Sequence, residues 1–249
     1  MNFVFCSTLL VLFTDRRWLA LTERLVHEWH SVTHAPPACT VVHHANVSAA
    51  AAWGSAAYFS LIRPRLTTVH SLLVSLPHSH ERGIMLLDAD VVVQRNVEAW
   101  ITRHYARLWP NAHLFVQQEW PCQMYPHRLC VNGGVWWVRR TAIGQRLLWD
   151  AQQLMVHLRV PEQDALQIVA NRQPASVYFL PRTAYANGFT ALYDSQFSVR
   201  AAHLVHANWL HTVECKEWSL EVLRQRPLTT GRMQLRDASC AVRNATVSG

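Results

Sequence analysis

The stretch Gly83-Ile84-Met85-Leu86-Leu87-Asp88-Ala89-Asp90-Val91-Val92-Val93 sets two carboxylates in the middle of an apolar, strand-forming run. Extended side chains alternate faces, so the run reads as one strand with Asp88 and Asp90 projecting to the same side. Like charges held that close repel, and burial penalises each anion further, so the pair needs a cation or open water. A hard divalent ion such as Mg2+ or Mn2+, completed by phosphate oxygens and water, meets that need. A solvated turn can carry the same tripeptide. The seven apolar residues flanking this one favour a metal-diphosphate site at a strand end.

Working outward, strand-like and helix-like segments alternate, which predicts α/β layering. Met1 to Phe13 reads as a first strand. Thr14 or Asp15 then caps a helix whose apolar residues Trp18, Leu21, Leu25 and Trp29 recur at three to four residues, and Pro36-Pro37 stops it. A strand over Cys39 to His43 follows. Pro64 is a favourable first position for a helix carrying Leu66, Val69, Leu72, Leu73 and Leu76. Asn96 caps a helix with Val97, Trp100, Ile101 and Leu108, ahead of a strand at His113 to Gln117. The strand Cys130 to Val138 contains Asn132-Gly133-Gly134, and glycines inside a strand mark a bulge or a close approach. Trp136 and Trp137 should face opposite sides of it. Thr141 opens a long amphipathic helix, and Pro161 starts another over Glu162 to Ala170. Strands near Ser176 to Leu180 and Ala201 to His206, with a turn at Asn187-Gly188 between them, complete the pattern.

The expectation is one α/β domain over residues 1–225, an open and mostly parallel sheet flanked by helices, with a C-terminal tail over 226–249. A chain of 249 residues, half of them apolar and 11 of them tryptophan, can bury a substantial core. The formal charge of +7 would suit a nucleic acid, an anionic membrane face or a phosphate-bearing small molecule. The arginines are scattered, with no basic stripe interleaved with aromatics, so nucleic acid is set aside and a nucleotide diphosphate is favoured over simple solubility charge. Six cysteines show no CxxC spacing, which argues against zinc. Cys122 and Cys130 would close a small disulfide loop in an oxidising lumen. The sequons Asn46-Val47-Ser48 and Asn244-Ala245-Thr246 are compatible with secretion. Met1 to Phe13 is short for a membrane span and lacks a basic start, so a membrane contact would need an anchor upstream of residue 1. His43-His44 and His78-Ser79-His80 lack acidic or cysteine neighbours and read as surface histidines.

Four further segments follow Asp88-Ala89-Asp90 in order: Val131-Asn132-Gly133-Gly134-Val135-Trp136-Trp137-Val138-Arg139, Pro161-Glu162-Gln163-Asp164-Ala165-Leu166, Leu180-Pro181 through Ala186-Asn187-Gly188-Phe189, and Val205-His206-Ala207-Asn208-Trp209-Leu210 with Lys216 beyond it. This series resembles the nucleotide-diphospho-sugar transferases of the plant arabinosyl- and xylosyltransferase type, glycosyltransferase family 77, over roughly Gly83 to Leu220. The resemblance implies a GT-A fold with the donor at the strand C-termini. It implies Asp88, Asp90 and His206 as metal ligands, Mn2+ or Mg2+ as the ion and a UDP-sugar as donor. It places Asn132, Gly133, Gly134, Asn208 and Lys216 at the donor, with the Asn132 amide on the sugar hydroxyls and the Lys216 charge toward the diphosphate, and Arg65, outside the matching stretch, is a further candidate for donor binding. A glycan or glycoprotein is the implied acceptor. A Golgi lumen is the implied location, with the cytoplasm as the alternative.

Two departures stand out. Thr212 occupies a position where the family usually has glycine, whose backbone N–H can approach phosphate closely, so a weaker grip on the diphosphate is expected. Ala207 replaces a common asparagine. Retention of configuration could use a covalent intermediate on Asp164, or same-face attack with Gln163 as a non-covalent stabiliser. Glu162, Gln163 and Asp164 could equally be acidic and polar residues suited to the first turn of a helix, and Asn132 to Gly134 no more than a bulge. The alternative function is a catalytically silent relative that binds nucleotide or glycan.

Overall fold

The protein is described here from a computed structural model, which covers residues 6–44, 56–76, 83–122, 129–194, 197–210, 212–225 and 238–240. The sequons at Asn46 and Asn244, the start of the expected first strand, the His78-Ser79-His80 cluster and most of the expected tail lie outside the described residues.

Nine strands and eight α-helical segments are described, with short 3-10 and π turns between some of them. The first half holds β1 (Thr8–Thr14), α1 (Leu19–Thr33), β2 (Thr40–His44), α2 (Ala56–Ser75), β3 (Gly83–Leu87), β4 (Val91–Val93) and α3 (Val97–Trp100). A π turn over Ile101–Tyr105 joins α3 to α4 (Ala106–Leu108). Then come β5 (Leu114–Glu119), β6 (Cys130–Arg139), α5 (Ala142–Leu158), α6 (Glu162–Arg172), β7 (Val177–Phe179), β8 (Tyr185–Asn187), α7 (Gly188–Tyr193), β9 (Leu204–His206) and α8 (Val213–Gln225).

Six strands form one sheet in the order β2-β1-β3-β6-β5-β7, and β4-β9-β8 form a second. The large sheet is parallel except for β6, which runs against both β3 and β5. Its strands alternate between two cores, as a sheet buried on both faces must. Leu9, Val11, Ile84, Leu86 and Trp136 pack with residues of α2, α5 and α6, while Leu10, Leu12, Met85, Leu87 and Trp137 pack with Leu25 and Trp29 of α1. The two neighbouring tryptophans thus divide between faces as expected. Burying such side chains contributes roughly 1.5–3 kcal/mol each, which makes this two-sided core the main source of stability.

Several local expectations change. Asp88-Ala89-Asp90 is not within one strand: β3 ends at Leu87 in the large sheet, and β4 begins at Val91 in the small one. The tripeptide is the turn by which the chain passes from one sheet to the other. Pro64 does not open α2 but lies inside it, on an exposed position, while Ile62, Leu66, Val69 and Leu73 form the buried stripe. A proline on the solvent side loses one backbone bond, and the buried stripe on both sides of it holds the helix together. Asn187-Gly188 is not a free turn, because Asn187 ends β8 and its side chain accepts from Thr190 N to cap α7. Asn96 and Thr141 cap as the sequence indicates, whereas Asp15 caps a 3-10 turn over Arg16–Trp18 that leads into α1, and Trp18 precedes α1 without a side-chain cap.

All six cysteines are paired, as Cys6–Cys39, Cys122–Cys130 and Cys215–Cys240. Among the described residues no helix is long and apolar enough to cross a membrane.

Candidate active site

Strand register brings the distant motifs together. Leu87 pairs with Val135 of β6, and Asp88 N donates to Gly134 O at 2.7 Å, so the Asn132-Gly133-Gly134 segment lies beside the carboxylate turn. On the other side Val91 pairs with His206 of β9, and Ala207 N donates to Asp90 O at 2.9 Å. Between Val116 and Gln117 the β5 register jumps from Trp136 to Asn132, leaving Gly133, Gly134 and Val135 as a bulge. That bulge is what the glycines signalled. A Cβ on Gly134 would collide with His206 Cε1 and the Asp88 carboxylate, so glycine is required there for the two side chains to meet.

Asp88, Asp90 and His206 offer one ligand atom each, all within 4.8 Å of one another. His206 Nε2 stands 3.2 Å from Asp90 and 3.6 Å from Asp88. Its other ring nitrogen, Nδ1, is 3.0 Å from Gln117 Oε1, while Gln117 Nε2 donates to the Tyr185 carbonyl at 3.2 Å. With the amide in this orientation Nδ1 donates to Gln117, so the proton that gives way to an ion is the one on Nε2, which faces the carboxylates. This is the arrangement of a histidine ligand oriented by an outer partner. Two carboxylate oxygens and one imidazole nitrogen within reach of one another form a group that can hold a divalent ion.

The charges around the turn balance. Lys216, on α8, lies 2.6 Å from Asp90 and 4.9 Å from the centre of the Trp18 ring. Asp90 is buried; burial opposes its charge, but Lys216 and His206 outweigh that and hold its carboxyl far below the usual range. His206 shows the converse: burial disfavours its cation, and Asp90 with Asp88 raises its pKa overall. Arg65, on α2, bridges Asp88 at 2.9 Å and Glu162 at 3.1 Å and also donates to Gly133 O at 3.0 Å. Glu162 accepts from the Trp136 indole at 3.1 Å. Its burial pushes its pKa up to about 7 despite Arg65, with Asp88 adding to the rise.

The other expected donor residues are present but partly engaged by the protein. Asn132 Oδ1 accepts from Gly134 N at 2.9 Å and its Nδ2 donates to Glu119. Asn208 accepts from Gly188 N at 2.9 Å and donates to Glu119 at 3.1 Å, and the Trp209 indole reaches the same carboxylate at 2.7 Å. Gln163 Oε1 accepts from Gly133 N at 3.0 Å, which ties the first turn of α6 to the bulge. Asp164 is half-buried and makes no hydrogen bond or ion pair among the described residues; burial raises its pKa. Thr212 does not interrupt the loop before Lys216. Its hydroxyl accepts from Cys215 N at 3.1 Å and its carbonyl from Lys216 N at 3.1 Å, so it caps α8 and sets the lysine's helix in place.

Gln117 and Glu119 are the site residues that sequence reading passed over. Both lie on the last residues of β5, on the same side by alternation, one behind the metal ligands and the other behind the Asn132 bulge. The signal was available only as a polar end to an otherwise apolar strand.

An α/β frame of this topology, with an Asp-x-Asp turn, a histidine and a lysine converging where its strands end, defines a GT-A glycosyltransferase. The chain belongs to the nucleotide-diphospho-sugar transferase family, whose model matches residues 20–220. A glycosyltransferase involved in the glycosylation of the major capsid of PBCV-1 superposes with a TM-score of 0.58 and 17% identity, covering 86% of this chain and 99% of that one. Mouse xyloside xylosyltransferase 1 gives 0.51 and 13%, covering 81% and 97%. The galactosyltransferase LgtC, solved with donor and acceptor sugar analogs, gives 0.51 and 12%, covering 88% and 94%. A comparison with curated protein sequences finds no match.

Proposed function

We propose that the protein transfers a sugar from a UDP-type donor to a hydroxyl of a glycan or glycoprotein, with retention of configuration and with Mn2+ or Mg2+ held by Asp88, Asp90 and His206. The observation that carries this reading is the oriented His206 Nε2, facing two carboxylates that Arg65 and Lys216 neutralise. Asp88 and Asp90 are paired with Arg65, which also serves Glu162, and with Lys216, so a divalent cation and a dianionic diphosphate would enter together as a neutral pair. When bound, the ion would supply Lewis-acid stabilisation of the leaving diphosphate.

The chain's own residues do the rest. Lys216 is the charge closest to Asp90 and is free to shift its ammonium from that carboxylate to a departing phosphate. Asn132, Gly133 and Gly134 form the floor under the sugar. Gln163, tied to Gly133, is favoured over Asp164 as the stabilising group opposite the leaving phosphate, because Asp164 makes no hydrogen bond or ion pair among the described residues that would hold it there. In same-face transfer the acceptor oxygen bonds to the anomeric carbon as its bond to the diphosphate oxygen breaks. The hydroxyl proton passes to the departing phosphate.

The closer affiliation with the arabinosyl- and xylosyltransferase type remains part of this proposal, as does an oxidising, Golgi-like lumen, which the three disulfides support. A screen for UDP release with UDP-galactose, UDP-xylose, UDP-arabinose, UDP-glucose and GDP-sugars, with Mn2+ or chelator, tests the reading. Turnover of a UDP-sugar that Asp90→Ala abolishes is the expected result; turnover retained by Asp90→Ala with chelator present would overturn it. UDP binding without turnover of any donor would favour a silent relative.

A further inference from the structure

We propose that Trp120, flanked by Arg182 and Asp194, forms the subsite that takes the sugar ring of the acceptor; this rests on the transferase reading above. Trp120 directly follows Glu119, whose carboxylate gathers Asn132, Asn208 and Trp209 behind the expected sugar floor. Trp120 is thus the first exposed residue beyond the end of the strand that backs the bulge. Trp120 stays 40% exposed, although an exposed indole gains by folding onto nearby apolar surface.

The residue is instead held in place from two sides. Its carbonyl accepts from Asn187 Nδ2 at 2.7 Å, and the Arg182 guanidinium carbon lies 4.5 Å from its ring centre. Arg182 is in turn fixed by Asp194 at 2.8 Å. Arg182 covers one face of the indole, and the exposed remainder is a rigid aromatic surface that matches the apolar C–H face of a pyranose, with guanidinium N–H groups beside it to donate to a hydroxyl. The Arg182–Asp194 pair cancels its own charge, which fits a neutral carbohydrate and not an anionic acceptor. Trp120 is joined to the site through its neighbour Glu119, which binds Asn132 of the bulge, and through its carbonyl on Asn187, and on this continuity the subsite rests.

The test is saturation-transfer NMR with methyl β-D-galactopyranoside, methyl β-D-glucopyranoside and methyl β-D-xylopyranoside as probes, with UDP and Mn2+ present. At least one probe should receive saturation from the wild type. Its affinity should fall about tenfold in Trp120→Ala and recover in part in Trp120→Phe, as loss of one aromatic stack requires. UDP titration with Mn2+ should be unchanged in both variants, which also reports that they fold. Equal sugar binding by Trp120→Ala and wild type, or no probe binding by a wild type that binds UDP, would overturn the subsite. A wild type that fails to bind UDP with Mn2+ would overturn the transferase reading itself and the subsite with it.

Discussion

Gln117 shows how much of this site depends on residues that touch no substrate. It sets the tautomer of His206 from behind, so Gln117→Leu should leave the fold intact yet weaken Mn2+ affinity about 10- to 100-fold, measured by titration calorimetry. Affinity equal to wild type would show that His206 needs no such partner. Gly134 makes a complementary case. Gly134→Ala should push His206 and Asp88 apart and destabilise by about 1–3 kcal/mol through overpacking, with metal affinity lost alongside. Asp88 and Asp90 were legible in the sequence because carboxylates inside an apolar run demand an explanation. Gln117 and Glu119 were not, since a polar strand end is ordinary and their partners, His206 and Asn208, are 89 residues away.

At the scale of elements, α8 is the part whose meaning the structure changes. Thr212 reads from the sequence as a poor substitute for glycine, but its hydroxyl caps the helix that carries Lys216. Thr212→Ala should therefore cost about 1 kcal/mol and Thr212→Gly only a few tenths, measured by chemical denaturation. Neither should tighten binding of UDP with Mn2+. Tighter binding by Thr212→Gly would restore the view that threonine obstructs the diphosphate. The helix and strand sequence was legible from periodicity and caps, as at Asn96 and Thr141, because those signals are local. The second sheet was not. β4 and β8 span three residues each, too short for a periodic pattern, and they exist through pairing with β9. Missing that sheet is why Asp88 and Asp90 first read as neighbours along one strand, when they occupy a turn between two.

At the scale of the whole molecule, buried charge and disulfides set how stability responds to conditions. Glu162 has a folded pKa of about 7, above its ordinary 4.5, so the folded state keeps a proton that the unfolded chain gives up. Its effect is a stability that declines as pH rises between those values. The raised His206 has the same sign, its stabilising contribution being lost as pH climbs through its folded pKa. Asp90, held low, contributes fully above its ordinary range and is lost only in acid. Burial lowers His43, His70, His113 and His203, whose contributions rise with pH up to the ordinary histidine range and oppose Glu162 there, so the Glu162 contribution shows as a difference. The melting temperature of the wild type relative to Glu162→Gln, both in chelator, should fall from pH 5 to pH 8, and a difference that is flat or rising would contradict the assignment. The bond Cys215–Cys240 closes 25 residues around α8, so a Cys215→Ser/Cys240→Ser variant should lose about 3 kcal/mol in chemical denaturation.

The most direct test of the central claim, that Asp88, Asp90 and His206 hold a divalent ion for a nucleotide diphosphate, is calorimetric titration of UDP into the protein with Mn2+ and with chelator. The expected result is binding with Mn2+ that weakens about 100-fold or more in chelator and is equally lost with Mn2+ present in His206→Ala. UDP binding of the same strength in chelator, or in His206→Ala with Mn2+, would contradict it.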